Sequence, residues 1–397
     1  MYKCYVIGIS DSRSHWFAPV VSDVIRRGKV FSGGRRHHDA VRDMLPDGYT
    51  WIEITTPLSN VFEKYKRYDE VVVFASGDPL FYGFASTVRR ELPDCEMIVY
   101  SSFNSLQLLA HRMLLPYQDM RVVSLTGRPW DRFDEALIAG EKLIGVLTDR
   151  TKTPDVICRR MMDYGYDNYS VTIGECLGNE TEERVSEYVE GANVTYKFPN
   201  CLILKKERDR ERTFGIPESR FALLNGRVNM ITKSQIRLAA ISAMDLGNAR
   251  VFWDVGFCTG SVSIEAKRLF PALRVESFEI RSECEDIIYE NMRRFGTPGI
   301  NVHIGDFLTT DLTGMPVPDA VFIGGHGGCL SDIVEKIIKY VTDLSNGRGV
   351  HVTINSVTEK SRKEMYETAE RLKLSLLSDN KVMIDEHNPI NIITFVS

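Results

Sequence analysis

The 397-residue chain has no pair of cysteines at metal-ligand spacing. Cys4, Cys95, Cys158, Cys176, Cys201, Cys258, Cys284 and Cys329 are scattered, without a CxxC pair or a Cys/His cluster, which excludes the common zinc sites. Most of them read as small buried apolar side chains, and no metal is expected. No apolar run approaches the roughly 18 residues of a membrane span. The start, MYKCYVIGIS, enters a strand pattern without a cleavable signal or an amphipathic transit segment, so a cytoplasmic location is expected. A net charge of −5 provides no global attraction for nucleic acid, and the single dense basic patch, RGKVFSGGRRHHD, is short. No nucleic-acid or membrane partner is expected; a small molecule is favoured.

With 43% hydrophobic and 26% charged residues the composition supports folded domains throughout, and the length favours two. Strand-like runs alternate with helical stretches: KCYVIGIS, GKVFSG, TWIEIT, DEVVVFAS, CEMIVYSS, RVVSLTG and KLIGVLTD. This alternation predicts βαβ units and a mainly parallel sheet. YSVTIGECLG, ERVSEYVEG and PNCLILKK follow closely, as in a more antiparallel second subdomain. Unbroken charge from Lys205 to Arg212 and a later Gly-Ile-Pro then mark a linker. Beyond it, MITKSQIRLAAISAMDL has helical spacing with Thr232 as an N-cap candidate. Strands at ARVFWDV, RVESFEI, INVHIGD, DAVFIGG, GVHVTIN, LSLLSD and NIITFV predict a second doubly wound sheet. The fold class is α/β, with domains at 1–206 and 225–397 and a charged linker at 207–224.

Two strand ends carry ligand chemistry. In FASGDPLFYG an apolar strand stops on Gly77, Asp78 and Pro79: glycine tolerates unusual backbone angles, Asp78 bonds nearby amides, and Pro79 cannot extend the ladder. Ligands of open α/β sheets bind at such carboxyl ends, although an ordinary strand-to-helix turn reads the same way. In the second half, Asp254-Val-Gly-Phe-Cys-Thr-Gly260 ends a strand and opens a helix, without the G-x-G-x-x-G of a dinucleotide site. Glu279 ends the next strand, 25 residues after Asp254, and Asp306 ends the third. A glycine loop and two acids on successive strand ends suit a nucleoside without pyrophosphate, which points to S-adenosylmethionine.

Residues 1 to about 206 resemble the class III tetrapyrrole methyltransferases through ASGDPLFYG, SSFNSLQLLAHRMLLP and VVSLTGR. From about 225 onward the chain resembles the decarboxylating C15 methyltransferases of corrin biosynthesis through ITKSQIRLAAI, DVGFCTGSVSIEAK, DAVFIGGHGG and INSVTEKS. Their order in one chain is similar to the fused C5,15-methyltransferases of cobalamin biosynthesis. The resemblance implies an N-terminal fold of two α/β subdomains and a Rossmann-like C-terminal domain, each binding its own S-adenosylmethionine. In the first domain it implies contacts from Gly77, Asp78, Pro79, Tyr82, Gly83, Ser101 and Ser102. In the second it implies Thr232, the loop Gly256, Phe257, Cys258, Thr259 and Gly260, then Glu279, Asp306 and Phe307.

The same resemblance assigns C5 methylation of a precorrin to the first domain. C15 methylation, with loss of the C12 acetate carboxyl as carbon dioxide, falls to the second. A homo-oligomer is expected, as class III domains commonly pair. A polycarboxylate substrate needs positive or amide-rich walls. The candidates are Arg35, Arg36, His37 and His38, whose other reading is a solvated helix start, and Gly324 and Gly325 with His326, the last as a proton-handling group. Two departures stand out: Gly8 is followed by Ile9, Ser10, Asp11 and Ser12 where the family often has a glycine-rich loop, and Cys258 replaces a common glycine. A positive φ at Cys258 would strain it. The competing readings are methylation of RNA or another non-tetrapyrrole substrate by the first domain, or degeneration of one domain into a binding module.

Overall fold

The structure is a computed structural model that describes residues 2–191, 194–227, 229–345, 347–384 and 389–397. The chain divides into two compact units, the first comprising Met1–Arg128, Lys142–Arg159 and Tyr169–Arg208, the second Pro129–Glu141, Arg160–Asn168 and Asp209–Ser397. Among the described residues no helix is long and apolar enough to cross a membrane.

The first unit holds two five-stranded sheets. One contains β1 (Lys3–Ile9), β2 (Val30–Gly33), β3 (Thr50–Glu53), β4 (Glu70–Ser76) and β5 (Glu96–Tyr100), all parallel in the order β3-β2-β4-β1-β5. Val71 to Ala75 of β4 are buried on both faces because β1 and β2 flank the strand and helices cover the sheet. The other sheet contains β6 (Arg121–Ser124), β7 (Leu143–Leu147), β8 (Tyr169–Glu175), β9 (Arg184–Glu187) and β10 (Asn200–Lys206). Only β6 and β7 are parallel there; β10 inserts antiparallel between β7 and β8, and β9 closes the edge antiparallel to β8. The sparing use of helices after Tyr169 produces the antiparallel half that the sequence predicts.

The second unit holds one seven-stranded sheet of β11 (Val251–Val255), β12 (Arg274–Glu279), β13 (Ile300–Ile304), β14 (Ala320–Ile323), β15 (His351–Ser356), β16 (Ser375–Val382) and β17 (Ile390–Val396). Its order is β13-β12-β11-β14-β15-β17-β16, parallel except for β17, which runs antiparallel to both neighbours. The chain winds outward from β11 in both directions, so the topological switch point lies between β11 and β14. Successive residues of β11 feed opposite faces: Phe252 joins one core cluster and Trp253 the other, both fully buried.

Two local differences from the sequence reading have physical causes. The helix Ser234–Ala243 is capped at Lys233 rather than Thr232, because the Glu218 carboxylate accepts the Ser234 amide from outside the helix. The stretch 207–224, read as a charged linker, also places Ile216, Phe221 and Leu224 in the core of the second unit. Its charges mask an apolar spacing at its C-terminal end.

Two candidate cofactor sites

In the first unit a cavity of about 460 Å3 opens at the carboxyl ends of β1, β4 and β7. Gly77 shapes its floor: φ is +60°, and a Cβ there would lie 2.8 Å from the Asn104 Cα, so only glycine lets the two backbones meet. The Gly77 carbonyl accepts the Ser102 amide at 3.3 Å. The Asp78 carboxylate accepts the Leu80 amide at 2.8 Å, which makes it a loop-shaping group. Gly77, Tyr82, Gly83, Arg36 and His37 line the cavity; Asp78, Pro79, Ser101, Ser102 and Arg35 are not part of its wall. His38 is turned away, stacked on Trp51 at 4.2 Å and bonded to the Tyr49 hydroxyl at 2.7 Å.

A compact network joins Arg36 and His37 to the loop that lacks its glycines. Arg36 pairs with Asp11 at 2.7 Å and donates to Ser76 Oγ at 2.8 Å. His37 accepts the Gly34 amide at Nδ1, 3.2 Å away, which leaves Nε2–H to donate to the same Ser76 Oγ at 2.9 Å. Burial, reinforced by the Arg36 charge, lowers the His37 pKa to about 4, so the ring is neutral at pH 7. The Ser12 hydroxyl and the amides of Arg13 and Ser14 all bond the Glu180 carboxylate, at 2.5, 3.0 and 3.1 Å. Led by the Ser12 bond, these hold the Glu180 pKa down at about 2. Polar anchors thus replace the missing flexibility of Ser10-Asp11-Ser12.

In the second unit a cavity of about 340 Å3 sits at the switch point. Gly256 has φ +80°, and a Cβ on it would lie 2.5 Å from the Gly325 carbonyl oxygen, so only a glycine at 256 lets this loop run so close to the segment that follows β14. Cys258 has φ +49°, the left-handed conformation that a side chain resists. Its thiol pKa is raised by burial and then by the Glu279 charge. Glu279 is buried: one oxygen accepts the Cys258 amide at 2.9 Å, the other the Ile280 and Arg281 amides and the Arg281 guanidinium, the last at 3.0 Å. Asp254 accepts the amide and hydroxyl of Ser263 at 3.1 and 2.5 Å. Burial outweighs those bonds and, with help from Glu279, lifts the Asp254 pKa to about 7.

Thr232, Gly256, Phe257, Cys258, Thr259, Gly324 and Gly325 meet at this cavity; Gly260, Glu279, Asp306, Phe307 and His326 are not part of its wall. Asp306 accepts the Leu308 amide at 2.9 Å, and Phe307 packs on Trp253 and Phe278. The His326 ring accepts the Gly328 amide at Nδ1 and meets Ser361 Oγ through Nε2, both at 3.3 Å.

Two family models match successive parts of the chain. A model of the tetrapyrrole (corrin/porphyrin) methylases matches residues 3–191, and a model of the precorrin methyltransferase domain matches residues 226–391. A precorrin-6Y C(5,15)-methyltransferase (decarboxylating) from Sinorhizobium sp is 28% identical over 378 residues, 94% of this chain and 89% of that protein. The chain belongs to the tetrapyrrole methylases fused to a precorrin methyltransferase domain. Single-activity relatives from Salmonella typhimurium match as well. A cobalt-precorrin-6B C(15)-methyltransferase (decarboxylating) is 38% identical over 112 residues, 28% of this chain and 57% of that protein. A cobalt-precorrin-7 C(5)-methyltransferase is 26% identical over 204 residues, 51% of this chain and 98% of that protein.

Within this two-part family, several polar groups at the cavities escape a reading by motif alone. Thr126 and Thr148 follow the ends of β6 and β7 and border the first cavity. Thr126 donates to the Thr148 carbonyl, and Thr148 to Asn200, at 2.8 and 2.7 Å. The repeated Leu-Thr at the ends of both strands was the available signal. In the second unit Asn355, inside INSVTEKS, borders the cavity. The Thr259 hydroxyl there is buried without a partner among the described residues, as a group awaiting a ligand would be.

Proposed function

We propose that the chain methylates a precorrin twice, at C5 in the domain 1–206 and at C15 in the domain 225–397, with decarboxylation of the C12 acetate in the latter. The single observation behind this reading is that each unit carries its own strand-end cavity, floored by glycines, in a chain whose relatives include both fused and separate C5 and C15 enzymes. Both cavities fit S-adenosylmethionine, one molecule in each. In the first, Gly77, Tyr82, Gly83 and the Thr126–Thr148 pair would hold it; in the second, Gly256 to Thr259, with the orphaned Thr259 hydroxyl.

S-adenosylmethionine supplies an already activated methyl, so no side-chain nucleophile is required. The chain's own work is alignment and exclusion of water. Arg36, held between Asp11 and Ser76, presents a fixed cation to a carboxylate of the substrate, while neutral His37 locks Ser76. In the second unit the Glu279 carboxylate fixes the Cys258 amide and so the shape of the loop. Loss of carbon dioxide leaves an electron pair on the side-chain carbon, which the conjugated macrocycle delocalises and a proton finally occupies.

Product mass after incubation with a precorrin tests the whole reading. The expected signature is a gain of two methyls and a loss of one carbon dioxide. Calorimetry with S-adenosylhomocysteine is expected to show two saturable sites per chain; a single site would mark one domain as degenerate.

A further inference from the structure

Asn355 lies at the carboxyl edge of β15, one residue past the last pairing that β14 makes with that strand, Ile323 opposite Ile354. Its backbone pairs with Ile392 of β17, so a strand rather than a loop sets the position of its side chain. The residue lines the second cavity, and its Oδ1 is buried with no hydrogen-bond partner among the described residues. Buried amide oxygens in folded proteins are almost always paired, because stripping water from one without replacing it costs free energy. An unpaired one in a cavity wall is matched to a donor on a ligand.

Its place in the sheet says which ligand. The loop Gly256 to Thr259 leaves β11 on one side of the switch point, while Gly324 and Gly325 leave β14 and Asn355 sits near the carboxyl end of β15 on the other. The wall beside Asn355 is apolar, formed by Val357, Val382, Ile384 and Ile390. An apolar surface with one amide acceptor suits a flat conjugated ring bearing N–H donors far better than a charged amino-acid tail or a ribose. The methyl donor and the methyl acceptor then occupy opposite sides of the same crevice.

We propose that Asn355 is a substrate-binding residue of the second cavity, its Oδ1 accepting a hydrogen bond from a pyrrole N–H of the tetrapyrrole. The assignment rests on the precorrin reading above. Asn355→Leu keeps the branched shape and number of heavy atoms and removes the acceptor; Asn355→Ser supplies a smaller polar group should the leucine variant fail to fold. In the full-length chain either is expected to raise the KM for the precorrin in C15 methylation at least tenfold, with a smaller change in kcat. Affinity for S-adenosylhomocysteine should stay within twofold, and C5 methylation, assayed on a precorrin already methylated at C15, should be unchanged. An unaltered KM, or S-adenosylhomocysteine binding weakened by the same factor as KM, overturns the assignment. Wild-type chain that transfers no methyl to C15 of any precorrin form sinks the reading beneath it, whereas active wild-type chain with indifferent variants removes only Asn355.

Discussion

Arg237 and Glu265 form an ion pair at 3.1 Å in which neither side chain reaches solvent. Both partners have further duties: Glu265 accepts the amides of Gly215 and Ile216, and Arg237 donates to the carbonyls of Ile216 and Thr232. The pair therefore fastens the segment entering the second unit to the helices Ser234–Ala243 and Ser261–Leu269, and with it Thr232 on the cavity wall.

Breaking the pair from one side leaves a buried charge uncompensated. Glu265→Leu or Arg237→Met is expected to lower stability by about 3–5 kcal/mol in urea unfolding, whereas the double change Arg237→Met with Glu265→Leu should cost clearly less than the sum. Calorimetry should show the second S-adenosylhomocysteine site weakened and the first untouched. Additive single effects would argue against a coupled pair.

Cys258 holds a conformation that costs an L-residue about 1–2 kcal/mol. Cys258→Gly relieves it but gives up thiol burial and adds freedom to the unfolded chain, so the net change should stay within about 1 kcal/mol. Cys258→Val keeps the strain and worsens it with a branched Cβ; a loss of about 2 kcal/mol or more is expected. Thermal melts of the two variants decide this, and a valine variant as stable as wild type would mean that the loop relaxes to another conformation.

What the sequence made legible follows from how locally each feature is encoded. The run Val71 to Phe74 and the glycine ending at Gly77 are written in consecutive residues, so the buried strand and its loop could be read directly. The positive φ at Cys258 was readable in the same way, from the place of one residue in a glycine loop. Glu180 was not, because it anchors Ser12 to Ser14 from 168 residues away in sequence. Distance in sequence also hid the Glu218 cap on Ser234 and the core role of Ile216 and Phe221, whose neighbours are mostly charged or turn-forming. Arg35 to His38 looked alike as a basic cluster, yet helical geometry sends Arg36 and His37 to the cavity and His38 to an aromatic stack. Side-chain direction, rather than composition, separates them.

Asp254 makes stability depend on pH. Its folded pKa, about 7, lies above the ordinary value of 3.8, so between those values the native state binds a proton that the unfolded chain has released. Its contribution is therefore greatest at low pH and declines as pH rises from about 4 through 7, after which it is constant. Three pKa units correspond to about 4 kcal/mol as an upper bound. Asp254→Asn removes this dependence while keeping the shape of the group. Urea midpoints at pH 5 and pH 8 are expected to fall further in wild type than in the variant; parallel profiles would show that Asp254 is ionised throughout.

His326 is the remaining candidate for proton handling, and its surroundings argue against that role. Nδ1 accepts the Gly328 amide, Nε2 meets Ser361, and the ring is absent from the wall that Gly324 and Gly325 help to build. A proton donor in decarboxylation has to reach the substrate directly or through one water. His326→Ala is accordingly expected to retain carbon dioxide release within about threefold of wild type, since general acid–base groups usually contribute about 100-fold or more. The change should appear instead as a small loss of stability from freeing the turn at Gly328. Carbon dioxide evolution measured alongside methyl incorporation separates the cases: a 100-fold loss of decarboxylation with methylation intact would restore His326 as the proton donor.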